Sequence, residues 1–348
     1  MNNIFLYAYI LILIVGFCCT RITNGKKHFC IFSGTVYFLL AALRSSRVGG
    51  DSFNYRNMFE SMEGKTLQQI FLKSERDPIF YTFMGIMRKI TDQYWVMFAV
   101  IALFFVVTVW VYIYRYSDDP VLSVVVLLAF NLYQFSLTGL RQAVAIGFIV
   151  LAIMAINENK KVLPYILVGV GGLFHASALV FLVIPLLRHL RLKTKFLRFS
   201  GIFLFVCYIF RRTIAAVLVR YLGDRGYELK LSESGSTMML VIAFLFAVAL
   251  LFIREYADSD QDYRIQYYIG WFAVFFEILV TSQNIFFRIA FYFLIAFATL
   301  IPNIANRAKN VTTRRALKVG LYVVLSAQYL FFTIGSCYTL PYTTFWQI

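Results

Sequence analysis

Apolar runs separated by short polar connections recur along the whole chain. They fall at about 4–20, 29–44, 94–114, 120–137, 141–157, 196–211, 237–253, 265–282, 286–303 and 316–334. Many approach the ~20 residues that carry an α-helix across a hydrocarbon core of ~30 Å. The pattern predicts an all-α polytopic membrane protein of about ten transmembrane helices, a single integral membrane domain over 1–348. The first run, "IFLYAYILILIVGFCC", lacks a basic leader and a small-x-small cleavage site, so it reads as a retained helix rather than a signal peptide.

Short connections rich in Lys and Arg mark the cytoplasmic side. Four qualify: 21–28, 157–161, 188–198 and 306–318. If "VLPYILVGVGGLFHASALVFLVIPLL" (162–187) crossed once, the basic connections flanking it would face opposite sides. Two half-length helices, broken at Gly171-Gly172 and meeting near His175, restore the parity. A re-entrant hairpin is therefore expected over 162–187, with both termini outside. Non-helical backbone at that depth must be buried or line a wet cavity. The outer segments are then 45–93, 138–140, 212–236, 283–285 and the C-terminal tail. Segment 79–90, "IFYTFMGIMRKI", is too short to span and should lie in the outer interface.

Composition agrees with this reading. The chain is 61% hydrophobic and 14% charged, with mean hydropathy +0.74, whereas soluble domains carry about 25% charged residues. The 23 Tyr and 37 Phe suit interfacial belts and lipid-facing surfaces. The five cysteines form no CxxC or Cys/His spacing and read as packing residues. There is no Walker A motif and no HExxH; "DSD" at 258–260 reads as a solvated turn. No metal, cofactor or nucleic acid is expected.

Charge then changes the picture. The expected outer side carries eleven arginines against four lysines, although outer cations are rare in short loops. Such a bias fits planar, bidentate recognition of phosphate or pyrophosphate. Snorkelling at helix ends accounts for most of the eleven. Glu277 and Arg288 flank the 283–285 turn on either side, which leaves an ion pair and a ligand contact equally open. Arg141 has no carboxylate within a helical turn, and Gln142 beside it adds a second polar group at the head of an apolar run. Unpaired intramembrane charges are functional by default. His175, at the hairpin apex, and Asp51, in a flexible "RVGGDS" loop ahead of Tyr55, complete the candidate chemistry. Asp77-Pro78 reads as an N-cap before proline at N1.

"RVGGDSFNYRNMF" (47–59), "ERDPIFYTFMGIM" (75–87), "FSLTGLRQAVAIGFIVLA" (135–152), "LFHASALVFL" (173–182) and "FFRIAFYF" (286–293) occur in that order. Together they resemble the motifs of EpsG-type proteins, a branch of the Wzy-like polysaccharide polymerases. The second segment departs from the family pattern, with Asp-Pro-Ile-Phe in place of Glu-Pro-Gly-Phe, which puts the acidic role of Asp77 in doubt. Region 212–236 matches no family motif, as a surface contacting a variable glycan would.

The resemblance implies a GT-C-like membrane glycosyltransferase that polymerises O-antigen, capsule or exopolysaccharide repeat units. These are carried on undecaprenyl pyrophosphate at the outer face of the bacterial cytoplasmic (inner) membrane. Donor and acceptor are both lipid-linked oligosaccharides, and a chain-length regulator and a flippase are expected partners. The expected catalytic residues are His175 as first choice of base, Asp51 as second, and Arg141. Arg47, Arg288, Gln142, Tyr55 and Tyr292 are expected to bind pyrophosphate or glycan. A flippase would also hold cations in a cavity but usually shows two related halves, and no internal repeat is visible. An O-antigen ligase would share the donor, and an acetyltransferase-like membrane enzyme is a further rival.

Overall fold

The structure is a computed structural model that describes residues 3–74, 77–187, 194–222, 236–253 and 261–347. The expected basic connection 188–198 and outer segment 212–236 lie partly outside the described residues, and the turn at 258–260 wholly so. Among the described residues the regular secondary structure is helical, with one isolated bridge between Arg44 and Thr344. In order the helices are α1 (Ile4–Cys19), α2 (Gly25–Ala42), α3 (Ser52–Glu60), α4 (Leu67–Lys73), α5 (Pro78–Ile90) and α6 (Tyr94–Tyr116). Then come α7 (Pro120–Ala129), α8 (Leu132–Thr138), α9 (Leu140–Asn157), α10 (Leu163–Phe174), a 3₁₀ segment (Ala176–Val183) and α11 (Ile184–Leu187). The rest are α12 (Thr194–Ile209), α13 (Arg211–Leu222), α14 (Ser236–Ile253), α15 (Gln261–Val280), α16 (Phe287–Leu294), α17 (Phe297–Arg307) and α18 (Val311–Gln328).

Every expected apolar run is helical, but several are not unbroken spans. Among the described residues, α6, α9 and Val311–Thr333 are each long and apolar enough to cross a membrane alone. The total rises to six if three bent pairs count as one span each, bent by 54° (α7–α8), 77° (α12–α13) and 52° (α16–α17). Among the described residues the expected spans thus appear as whole, short and broken helices, of which three to six are long and apolar enough to cross a membrane. The physical reasons are local. Asn131 takes a left-handed φ of 62° between α7 and α8, a conformation asparagine tolerates. The α16–α17 bend falls at Ile295-Ala296, whereas Pro302 sits within α17 without interrupting it.

The 162–187 segment does turn back on itself: a Cβ at Gly172 would come within 2.3 Å of the Leu179 side chain. The break lies at His175 rather than at Gly171-Gly172, which stay inside α10, and the returning arm is 3₁₀ before it is α. Segment 79–90 is a helix with Phe80, Met84 and Met87 buried on one face. Two helices, α3 and α4, were not anticipated between α2 and α5. The second opens with a capping box in which Thr66 and Gln69 satisfy each other's backbone N–H.

Helix α9 is central. Of its apolar window 78% is buried, against 28% for Val311–Thr333, which therefore runs along the periphery. Helix α7 is buried on all sides, and α6, α10 and α16 pack against α9. This arrangement holds the first turn of α9, with Arg141, inside a ring of segments contributed from residues 55 to 292.

Candidate functional site

Gly139 interrupts the helix between α8 and α9, so Arg141 falls in the first turn of α9. A cation there opposes the partial positive charge of the helix N-terminus, a cost of about 0.3–1 kcal/mol. A carboxylate from a distant segment offsets it. Arg141 Nη1 donates to Asp77 Oδ2 at 2.9 Å, and its Nε donates to the Tyr55 hydroxyl at 3.3 Å. The guanidinium also lies 5.9 Å from the centre of the Tyr81 ring. Arg141 is therefore paired, contrary to its expected isolation. The partner stands 64 residues away in the chain, beyond the reach of a search within one helical turn.

Asp77 is the hub of the site. It occupies the N-cap position of α5 with Pro78 at N1, but its side chain makes no capping hydrogen bond. Its backbone is left-handed, with φ 49° and ψ 50°, and the carboxylate turns inward instead. Oδ2 lies 3.2 Å from His175 Nδ1, and Oδ1 accepts from the Ala176 N–H at 3.4 Å. Burial by itself pushes the carboxyl up. The hydrogen bond and charge interaction with His175, the Arg141 guanidinium and the Ala176 N–H outweigh that and hold it below the usual carboxylate range. The reading of Asp77 as a plain helix cap is corrected.

His175 has extended backbone (φ −155°, ψ 109°) between α10 and the 3₁₀ segment. Its Nδ1 faces Asp77, and its side chain is 15% exposed. With Nδ1 carrying the proton toward Asp77, Nε2 is left as an acceptor. Two residues on, Ser177 meets the buried Tyr292 hydroxyl at 3.1 Å, and Tyr292 lies within electrostatic reach of Asp77 and Arg288. Gln142, buried in α9, donates its amide to the Arg288 backbone carbonyl. These two contacts fix α16 against α9 and against the 3₁₀ arm.

The half-buried Arg288 side chain makes no hydrogen bond or ion pair among the described residues. Of the two alternatives left open for Glu277, the ion pair with Arg288 is not formed; among the described residues Glu277 is buried in α15 without a basic partner. Arg141, Asp77 and Arg288 together leave the site with an excess of one positive charge.

Arg47 and Asp51 are exposed and stay outside this cluster, although Asp51 is one helical turn before Tyr55. Their loop is anchored at the break preceding α9. The Leu137 carbonyl, at the end of α8, accepts from Arg44 Nη2 at 3.1 Å and from Ser52 Oγ at 3.0 Å. Gly49, at φ 100°, passes so close that a Cβ would sit 2.5 Å from that same oxygen. Arg44 itself is fully buried over the Phe98 ring at 4.5 Å, which makes it a framework residue rather than a snorkelling one. From the other side, the N–H groups of Gly49 and Gly50 donate to the carbonyls of Tyr338 and Cys337, both at 2.9 Å.

The site thus unites Tyr55, Asp77, Arg141, Gln142, His175, Ser177, Arg288 and Tyr292. Sequence reasoning reached all but Asp77 and Ser177, and both lie inside quoted motifs. Among the described residues no group of three or more His, Cys, Asp or Glu is placed to hold a metal. The arrangement offers an imidazole oriented by the same carboxylate that holds the Arg141 guanidinium, suited to moving a proton next to a bound anion. No curated protein and no solved structure matches the chain. A family match does cover residues 27–344, taking in every member of this cluster. Over nearly its whole length, then, the chain belongs to the EpsG family of Wzy-like polysaccharide polymerases.

Proposed function

We propose that this protein joins undecaprenyl-pyrophosphate-linked oligosaccharide repeat units into polymer at the outer face of the bacterial cytoplasmic membrane. The observation that carries the reading is the Asp77 carboxylate shared between Arg141 and His175. A hydroxyl of one lipid-linked unit attacks the anomeric carbon of another. The new glycosidic C–O bond forms as the bond from that carbon to the pyrophosphate oxygen breaks. The hydroxyl proton passes to Nε2 of His175, and undecaprenyl pyrophosphate leaves with the bonding pair.

Asp77 accepts the Nδ1–H of His175, which fixes the basic tautomer and stabilises the imidazolium that forms. A carboxylate held below its usual range suits this orienting role better than that of the base. Arg141 uses one N–H on Tyr55 and one on Asp77, so three of its five donors remain for the departing pyrophosphate. Arg288 has all five. Because pyrophosphate is a fair leaving group, most of the catalysis lies in orienting two substrates and neutralising developing charge. Asp51 and Arg47, at the exposed rim, are assigned to the acceptor glycan.

The test is reconstitution of the purified protein with lipid-linked repeat units. Polymer ladders from the unaltered protein, absent with His175→Asn, support the proposal. Ladders from both proteins at similar rates overturn the assignment of the base, and ladders from neither overturn the reaction.

A further inference from the structure

At the end of the bundle away from Arg141 lies a cavity of about 310 Å³. Helix α6 measures the separation. It begins at Tyr94, beside Arg56 of α3, and ends at Tyr116, next to the Asp118–Asp119 wall of the cavity. Its 23 residues at 1.5 Å per residue span about 34 Å. The cavity is built by the end of α1, the start of α2, the entry to α7, and Lys318 of α18. Phe29, Val121 and Ile22 supply apolar wall, while Lys26 and Lys318 supply cations.

The acids in its wall are already engaged. Asp119 accepts from Lys318, from the Tyr322 hydroxyl and from the Leu122 N–H, and Asp118 faces Arg307 at 3.6 Å. Lys26 is different. Its ammonium donates to the Ser117 carbonyl at 2.6 Å and has no carboxylate within 4.0 Å among the described residues, which leaves two N–H donors over. Exposed Arg21 and Lys27 stand beside it in the chain. The lining alone balances two lysines against two aspartates; Arg307 on Asp118, with Arg21 and Lys27 nearby in the chain, gives this end of the bundle its positive excess.

What adjoins the cavity selects the ligand. Helices α1 and α18 meet where the Phe17 and Tyr322 rings lie 5.7 Å apart. On either side Ile14, Phe17, Val319 and Val323 are exposed, at 53% or more. A free phosphate would use the lysines alone, but a diacyl phosphate would also cover this apolar strip. We propose that the cavity holds the phosphate headgroup of an anionic membrane phospholipid, with Lys26 as its principal cation and its acyl chains lying along α1 and α18.

The test uses the full-length protein in detergent and native mass spectrometry with phosphatidylglycerol, phosphatidylcholine and inorganic phosphate. Retention of phosphatidylglycerol should exceed that of phosphatidylcholine. It should fall about fivefold in Lys26→Gln, the scale of one lysine against an anionic lipid surface. Lys89→Gln, at the other end of the bundle, should leave it unchanged, and inorganic phosphate should not displace the lipid. Equal retention of the two lipids, unaltered binding in Lys26→Gln, or displacement by inorganic phosphate overturns the proposal. Photoactivatable phosphatidylglycerol added to the unaltered protein gives an answer independent of any variant's folding. Labelling within 10–26 or 318–326 supports the site, and labelling only elsewhere overturns it.

Discussion

Asp77 and His175, 98 residues apart in the chain, meet at 3.2 Å between Oδ2 and Nδ1. The same oxygen accepts from Arg141, so a single carboxylate couples the proposed base to a proposed anion-binding group. Replacing it should damage both. Asp77→Asn is expected to cut polymer formation by roughly 10²–10⁴, the range for lost acid–base function. Because part of the Asp77 effect runs through His175, Asp77→Asn combined with His175→Asn should lose less than the product of the two single losses. Multiplicative losses in the double variant would show that the two side chains work independently.

Arg141 and Arg288 should differ in their tolerance of lysine. Arg141 serves Tyr55 and Asp77 through separate nitrogens and still has donors for pyrophosphate, a geometry that a single ammonium cannot reproduce. Arg141→Lys should therefore lose most polymerase activity at normal membrane abundance. Arg288 has no side-chain partner to lose among the described residues, so Arg288→Lys should keep more activity than Arg141→Lys. Reconstituted rates for the two variants decide this; the reverse order would place the pyrophosphate nearer Arg288.

Asp51 tests the choice of base directly. It is exposed and makes no side-chain hydrogen bond among the described residues. Asp51→Asn should leave the maximal rate within a few-fold of normal and act mainly on the acceptor concentration needed for half-maximal rate. A collapse of the maximal rate with unchanged acceptor dependence would return Asp51 to the role of base.

The pH dependence of stability follows from Asp77. Its folded carboxyl is held below the usual range, so the folded state binds fewer protons at this site than the unfolded state. The stabilisation is complete above the unfolded value of about 3.9 and is lost as pH falls through the lower folded one. Asp77→Asn should lower the thermal midpoint by roughly 2–4 °C at pH 5, a gap that closes as pH falls below about 5. Thermal scans of both proteins across that range check the sign. A gap that widens on acidification contradicts it.

Topology is open to chemical labelling. The hairpin at 162–187 was inferred so that 157–161 and 188–198 share the cytoplasmic side. Cysteines at Glu158 and at Lys193 should both resist an impermeant thiol reagent in intact cells, while one at Asp51 should react. Modification of only one of the first two means that the segment crosses the membrane.

Much of the bundle was legible because lipid demands long apolar runs, and those runs are plain in the sequence. The breaks were less so. Asn131 and the Ile295-Ala296 bend lie inside apolar stretches, where a hydropathy pattern registers a break only weakly. The hairpin emerged from charge parity, a non-local argument. Its apex at His175 was read correctly, but Gly171-Gly172 stay helical, because glycine permits a turn without requiring one. Asp77 illustrates the deeper limit: before a proline, an aspartate reads as a helix cap. Only the fold reveals that its carboxylate leaves that helix for partners on α9 and beyond α10. Ser177 went unremarked for the same reason, since its partner Tyr292 is 115 residues away.

The anchoring of the Asp51 loop bears on biogenesis. The carbonyls that hold Gly49 and Gly50 belong to Tyr338 and Cys337, and the Thr343 carbonyl accepts from the Ser45 N–H at 2.8 Å. A ribosome delivering this chain into the bilayer releases the loop roughly three hundred residues before the segment that secures it. Arg141 and His175 are likewise inserted well ahead of Arg288. Until translation reaches residue 343, the loop that carries Asp51 lacks the carbonyls that hold it beside the break preceding α9. Interrupted synthesis would therefore leave that loop untethered.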